Sequence, residues 1–342
     1  IFWRINDEIA VRASEQTTTK SPNIDDLYGP LNPSFQQALD PCDARYVADG
    51  DFPANRAANC ASIGIDTSTF RSFVAGGTVQ GVSGGNPRLL DESGETNSYG
   101  IVYTPSNDFF DAIGNVSMSA DYIEILLTDY VTTFALIDFM EACYDAASFP
   151  NNFCDSFTRD PETNQVNGFS VGAGNAGTID FGTYIYRINW DKDFSIGNLS
   201  LAWRGYQQDK RNQADSGDPA DLVDKTGYAS DPEWVQDLTI GLAKNDHFAY
   251  YKMDFVDGGY INKQQTDIRA DRYIGASGQP MTEYDGYFTD TIGYVFTPSD
   301  DITLAIRINN PLDHDGSEDR YQVERGVRLI GRTISTSFSI KF

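Results

Sequence analysis

From Arg332 to Phe342 the chain alternates without a break. Ile334, Thr336, Phe338, Ile340 and Phe342 fall on one parity, and Thr333, Ser335, Ser337, Ser339 and Lys341 on the other. Successive side chains of an extended strand point to opposite faces, so this segment presents one face suited to hydrocarbon and one suited to water. The pattern recurs at Ile302 to Ile308 and at Leu199 to Trp203. Weaker copies run from Ile9 to Ala13, Tyr99 to Tyr103, Val116 to Tyr122, Tyr184 to Trp190, Leu238 to Leu242, Tyr251 to Phe255 and Phe288 to Phe296. The sequence thus predicts ten strands, the first ascending near Trp3 to Ala13.

Soluble sandwiches alternate too, so the connections carry the decision. In chain order they run long, short, long, short throughout. The short ones are Thr104–Asn115, Asp191–Gly197, Lys244–His247 and Thr297–Asp301, rich in the Asp, Asn, Ser, Pro and Gly that tight turns require. The long ones are Thr17–Asn97, Thr128–Asp180, Gln207–Glu233, Asp257–Asp285 and Asn310–Gly331. Sandwich loops have no reason to sort this way. An antiparallel transmembrane β-barrel does, with short turns on the periplasmic side and long loops outside. The fold class expected is therefore all-β. Phe342 would then sit at the periplasmic rim as the barrel's C-terminal assembly signal, with Trp190 and Phe296 in the lower aromatic girdle and Trp234 and Phe288 in the upper. Within the second long loop, Phe134, Ile137, Met140 and Cys143 are spaced for a short amphipathic helix.

Composition fits this reading. Only 40% of the 342 residues are hydrophobic and the mean hydropathy is −0.40, yet 13% are aromatic. No stretch approaches 18 uninterrupted apolar residues: Ile123 to Met140 comes nearest and carries Glu124, Asp129 and Asp138. A spanning helix is excluded, whereas a spanning strand is free to be half polar. The formal charge of −25 argues against nucleic acid as a partner. The four cysteines form two local pairs, Cys42 with Cys60 and Cys143 with Cys154, each in a polar stretch without CxxC spacing or a nearby histidine. That favours two loop disulfides in an oxidising compartment over a zinc site.

Several segments now read together. The run Ser14 to Tyr28 (SEQTTTKSPNIDDLY) is similar to an aromatic-Ser … Arg-Ala-Pro-Asn-Ile … Leu-Phe pattern, with Lys20 and Ser21 where Arg-Ala is usual. Asp40 to Asp43 and Asn59 to Ile65 are similar to a cysteine-bearing surface loop, and Asn86 to Thr96 to an Asn-Pro-Asn-Leu-Lys-Pro-Glu-Thr segment lacking its second Pro. Ser119 to Ile125, the stretch Cys143 to Asp160 and Ile308 to Asp313 follow in the same order, with Pro311 and Leu312 replacing Leu-Phe. Across nearly the whole chain these motifs resemble the TonB-dependent outer-membrane receptors of Gram-negative bacteria. The resemblance implies a barrel of about 22 strands filled by a plug domain. Residues 1–342 would be its C-terminal portion, about ten strands, with no plug and no TonB-contacting segment visible in this sequence.

What the resemblance implies in function is energised import of a scarce nutrient (a chelated metal, glycan, peptide or cofactor). The expected partners are outer-membrane lipid, TonB, a plug domain and an unidentified ligand. No catalytic grouping, metal motif, cofactor site or nucleotide loop is present. The Asp313 to Asp319 run departs from EF-hand spacing, and Gly172 to Gly177 reads as a mobile loop piece. His247 and His314 read as surface residues. Ligand contacts are expected on the first two long loops, where Phe35, Tyr46, Phe52, Phe70, Phe73, Phe149, Phe153 and Phe157 could stack on cargo or form small cores beside the disulfides. The alternative function is a surface barrel that presents loops for adhesion or assembly without transport. A passive ten-strand pore fits poorly, because a first loop of about 80 residues is excessive for that.

Overall fold

The computed structural model describes residues 1–214, 222–228, 230–260, 283–313 and 331–341. Phe342, His314 and most of the Asp313 to Asp319 run lie outside the described residues, as do most of the last two long connections. Eleven strands follow one another across a single antiparallel sheet. They are β1 (Phe2–Arg4), β2 (Ile9–Lys20), β3 (Glu92–Tyr103), β4 (Asn115–Thr133), β5 (Val166–Phe194), β6 (Gly197–Ala214), β7 (Trp234–Lys244), β8 (His247–Val256), β9 (Tyr287–Ser299), β10 (Ile302–Asn309) and β11 (Thr333–Ile340). Each pairs with the next, and β1 and β11 are not paired with each other, so the sheet is open.

Nine of the ten alternating segments lie within strands, and the tenth, from Arg332, forms a strand over Thr333–Ile340. One expectation needs correction, because the stretch from Trp3 to Ala13 is a hairpin rather than one strand. The Asn6 side chain accepts the backbone N–H groups of Glu8 and Ile9 at 2.9 and 2.7 Å and turns the chain, so that Trp3 faces Val11. Connections alternate as read, from two residues at 195–196 and 245–246 to long excursions such as 21–91 and 134–165. Asn245 takes φ 51°, the left-handed conformation that a two-residue hairpin demands.

Register carries one apolar face across the whole sheet. Val11 lies opposite Ile101, Ile101 opposite Ala120 and Ala120 opposite Tyr186. Further along, Ile188, Trp203, Leu238 and Met253 form a second row, and Ile240, Tyr251, Ile292, Ile308 and Ile334 a third. Many of these side chains have no protein cover: Ile306 is 47% and Phe338 62% exposed. In water such a surface would drive aggregation, while in hydrocarbon it is the stable face. Aromatic rings edge the belt at both ends. Toward the long connections Tyr122 packs on Tyr184 at 4.7 Å, and Tyr186 stacks with Trp203 and Trp234. Toward the short turns His247 stacks on Phe296 at 4.7 Å, and Trp190 donates to the carbonyl of Ile113. No helix among the described residues is long and apolar enough to cross a membrane, which leaves the strands as the spanning elements.

The other face is polar. Arg12 grips Asp121 with two bonds of 2.7 and 2.6 Å, and Arg187 approaches the same carboxylate. Arg204 pairs with Asp237 and Lys252 with Asp254, while Arg307 donates to the Tyr250 hydroxyl. The Tyr250 ring lies over Gly293, where a Cβ would come within 2.1 Å of the ring, so only glycine fits beneath it.

β4 and β5 run far beyond the belt. Their extensions support a loop layer with its own strands (Asn32–Gln36, Val79–Gly84, Phe157–Arg159) and helices (Pro53–Ser62, Leu136–Tyr144). The second helix is the one expected from its spacing. Gly172 to Gly177 is not a mobile loop piece, because it lies inside β5, where Ala173 pairs with Thr133 on one side and Gly172 runs parallel to Gly84 on the other. At Gly172 (φ +155°) a Cβ would stand 1.9 Å from the carbonyl oxygen of Gly84, so the two backbones meet only because residue 172 carries no side chain. The layer has a real core: Leu136, Phe139, Met140 and Tyr144 pack with Ile65, Val74, Phe157 and Phe169. Disulfides Cys42–Cys60 and Cys143–Cys154 stitch it from within, with Cys42, Cys60 and Cys143 buried in that core. Closing loops of this size stabilises by about 3 kcal/mol each in the chain-entropy view. Inside, Arg159 clamps Asp40 with bonds of 2.7 and 2.8 Å and donates to Tyr144 Oη at 2.9 Å, with the carboxylate fully buried. This pair joins the two longest connections, 119 residues apart.

Two outcomes are expected. Arginine at position 188 should destabilise the protein in lipid vesicles by about 2–4 kcal/mol, because Ile188 faces hydrocarbon, whereas Asn189→Arg should cost less than about 1 kcal/mol. Urea titrations of the two adjacent variants decide this, and equal losses would contradict the facing derived from register. Within the loop layer, Arg159→Met strands a buried carboxylate and should cost about 3–5 kcal/mol, while Arg159→Met with Asp40→Leu regains most of it. Amide exchange over residues 134–165 reports the change, with the belt strands unaffected.

Candidate functional site: the loop layer at the sheet mouth

The aromatic residues of the first two long connections divide by burial. Phe157 is buried, and Phe70, Phe149 and Phe153 pack against the core. These four are structural. Phe35 and Phe73 differ, being 64% and 81% exposed. Their exposure follows from local strand geometry. From Ser34 to Asp40 even positions turn inward (Ser34, Gln36, Ala38, Asp40) and Phe35 and Leu39 turn outward, with Leu31 also exposed. The Ala38 amide donates to the carbonyl of Val74, which sets Leu39 beside Phe73. Phe73 is held from the other side, since its amide donates to Gln165 Oε1 at 2.7 Å and Gln165 Nε2 returns a bond to Arg71 O. Leu31, Phe35, Leu39 and Phe73 therefore lie along one outward ridge. Tyr46 and Phe52 are half-buried and join neither the core nor the ridge. Tyr46 instead lies under the Arg45 guanidinium, 5.1 Å from its ring centre.

The charges divide as sharply. Arg56 is 1% exposed inside helix Pro53–Ser62, bound to Asp145 and Glu141 from the other long connection and to the Tyr46 carbonyl. Burial raises both acids above the usual carboxylate range, although Arg56 pulls the other way. Arg45 and Arg71 share the fully buried carboxylate of Asp43. Burial alone would raise that carboxyl, but bonds from the Arg45 side chain and the Ser72 and Arg45 amides outweigh it and hold it at about 2. Four of the five arginines of segments 21–91 and 134–165 are thus engaged with carboxylates, two of them out of solvent. Arg88 is the one without an ion pair among the described residues. The same segments carry fourteen acids. Of these, Asp25, Asp66, Asp91, Asp155 and Glu162 are exposed and pair with no cation among the described residues.

The sequence placed the aromatics and cysteines in the right connections but left Arg56, Arg159, Asp40 and Asp43 unremarked. The one available signal was an arginine amid the small residues Ala54, Ala57, Ala58 and Ala61, where a long cation has no reason to sit unless it is paired inward. Among the described residues no group of three or more His, Cys, Asp or Glu side chains is arranged to hold a metal ion.

No protein-family model matches the sequence, and no curated protein matches it by sequence. In three dimensions the chain is similar to solved receptors. It aligns over 100% of its length with 40% of the siderophore receptor PirA from Acinetobacter baumannii, at a TM-score of 0.57 and 12% identity. A mutant of the ferric enterobactin receptor PfeA from Pseudomonas aeruginosa is covered over 39% of its length, at 0.56 and 12%. The FrpB iron transporter from Neisseria meningitidis is covered over 38%, at 0.53 and 13%. At such identities the likeness is one of fold, and the chain spans about two fifths of the proteins it matches. Its single sheet of antiparallel strands with an apolar belt is similar in fold to part of those barrels.

Proposed function

We propose that this chain forms the C-terminal part of a TonB-dependent receptor that imports a scarce nutrient across a bacterial outer membrane. One observation carries the reading. A sheet with a continuous apolar belt bears, at one end only, a loop layer locked by two disulfides and by buried ion pairs across 119 and 89 residues of chain. A passive pore needs no such structure, whereas a receptor must hold a shaped, rigid mouth above its membrane span. The likeness to a siderophore receptor and to an iron transporter favours cargo of the chelated-metal kind. In this reading the loop layer is extracellular, the short turns and C-terminus are periplasmic, Phe342 ends the assembly strand, and a plug domain fills the space beside the polar face. TonB supplies the pull that opens a path.

The test is uptake. Cells lacking the whole gene should lose energised accumulation of one chelated metal, and restoring the gene should return it. A TonB-deficient strain should bind that chelate at the surface but accumulate it at background level. Undiminished accumulation in both strains, across panels of chelates, glycans, peptides and cofactors, would sink the import reading. A loss confined to cell adhesion would point to a loop-presenting surface barrel instead.

A further inference from the structure

On the outward face of the sheet we propose that a trough, running from Trp3 on β1 to Trp234 on β7, binds an acyl chain of a membrane phospholipid as a fitted part of the wall. The inference rests on the lipid-facing belt and not on the import reading. Two adjoining hollows of about 400 and about 510 Å³ make up the trough. Ile101 and Ala120, a cross-strand pair of the belt, line both. Register explains the depression. Ala120 lies between Ile101 and Tyr186 in one row. Toward the long connections the next outward row pairs Tyr99, Tyr122 and Tyr184, and toward the short turns it pairs Tyr103, Met118 and Ile188. A single methyl group ringed by large side chains leaves the surface hollow.

One flank of the trough is held ring by ring. Tyr122 packs on Tyr184, Tyr184 stacks on Tyr186 at 6.2 Å, and Tyr186 stacks on Trp203 and Trp234 at 6.4 and 6.1 Å. The polar tips of this wall are bonded to protein. Tyr122 Oη donates to Asp209 at 3.2 Å, while Tyr186 Oη donates to Gln207 Oε1 and Trp203 Nε1 to Gln236 Oε1, both at 3.3 Å. With those donors engaged, the flank turns carbon toward the trough, which suits an alkyl chain.

Depth identifies the source of that chain. Two residues above Tyr122 on the same face of β4, Glu124 pairs with Lys210, which also meets Asp180 at 2.9 Å. Charges on the outward face mark where hydrocarbon gives way to headgroups. The trough starts at that boundary and descends from Tyr122 to Met118, about 13 Å along β4 at the usual strand rise. A phospholipid with its headgroup at the boundary places its chain there. Over exposed rows such as Ile306 and Phe338 a chain is touched from one side only. In the trough it is touched on its floor and flanks, and dispersion contacts grow with each wall. A second copy of this chain fits less well, because a two-fold contact centred here sets trough against trough and leaves both hollow.

The test uses the purified full-length receptor, incubated with dipalmitoylphosphatidylethanolamine in a mild maltoside detergent, separated by size exclusion and weighed intact by native mass spectrometry. The wild type should retain a single phospholipid. Ala120→Phe and Ile101→Trp fill the trough from β4 and β3, and each should weaken retention about tenfold, the effect of roughly two methylenes no longer buried. Ile306→Phe, on the same belt but outside the trough, should match the wild type. Circular dichroism checks that each variant is folded, and either filling variant suffices if the other is not. Unchanged retention in the folded filling variants, an equal loss in Ile306→Phe, or no phospholipid on the wild type would overturn the proposal. So would a wild-type dimer that the filling variants dissociate, since the trough would then belong to a second copy.

Discussion

Backbone hydrogen bonding in hydrocarbon is the constraint on which the rest of this structure depends. A peptide group in lipid has no water to turn to, and each unsatisfied donor or acceptor costs several kcal/mol. A chain without a long apolar helix can meet that condition only by pairing strand to strand. From this follow the unbroken ladder from β1 to β11, the tight turns on one side, and the fixed register, since a one-residue slip would turn every belt residue to the wrong face. The two end strands carry the same requirement beyond this sheet. Ile334, Phe338 and Ile340 face hydrocarbon on a strand with one paired edge, and Trp3 does the same at the far side.

That constraint is also what made the fold readable. Alternation is a property of adjacent residues, so Leu199 to Trp203 or Ile302 to Ile308 announce their faces without knowledge of any partner. The strands nevertheless extend well beyond the alternating cores. β4 reaches Thr133 and β5 begins at Val166, because outside the belt both faces meet protein or water and the pattern lapses while the hydrogen-bond ladder goes on. The hairpin at Asn6 was missed for a related reason, since a four-residue turn within a polar stretch leaves parity nearly undisturbed. Gly172 to Gly177 misled in the opposite direction. Three glycines and two alanines suggest slack, yet Gly172 is there to let two strands approach closely, a fact that only the partner at Gly84 reveals.

The candidate site was legible in outline only. Two long connections, two cysteine pairs and a set of phenylalanines mark a structured mouth, but which phenylalanine is core and which is surface depends on contacts between segments about a hundred residues apart. Phe70 and Phe73 are three positions apart and have opposite fates, Phe70 packing against the core beside Ala44 and Phe73 exposed. The arginines were least legible of all. Locally only the alanines around Arg56 separate it from Arg88. One is buried because Asp145 and Glu141 arrive from helix Leu136–Tyr144 and its cap, the other exposed because nothing arrives.

The loop layer therefore solves a problem that the barrel does not have. Above the belt there is no lipid to hold apolar faces in place, and a layer of this size buries too little surface to be rigid by hydrophobic contact alone. It uses buried disulfides and guanidinium–carboxylate clamps, in which a planar fork fixes two segments in both distance and orientation. Taking those cations inward changes the outside as well. Every arginine employed as an internal clamp is one fewer facing the ligand, and the acids needed for solubility remain at the surface. Internal rigidity and external charge are thus linked in segments 21–91 and 134–165, where four of the five arginines meet carboxylates and five exposed acids pair with no cation among the described residues.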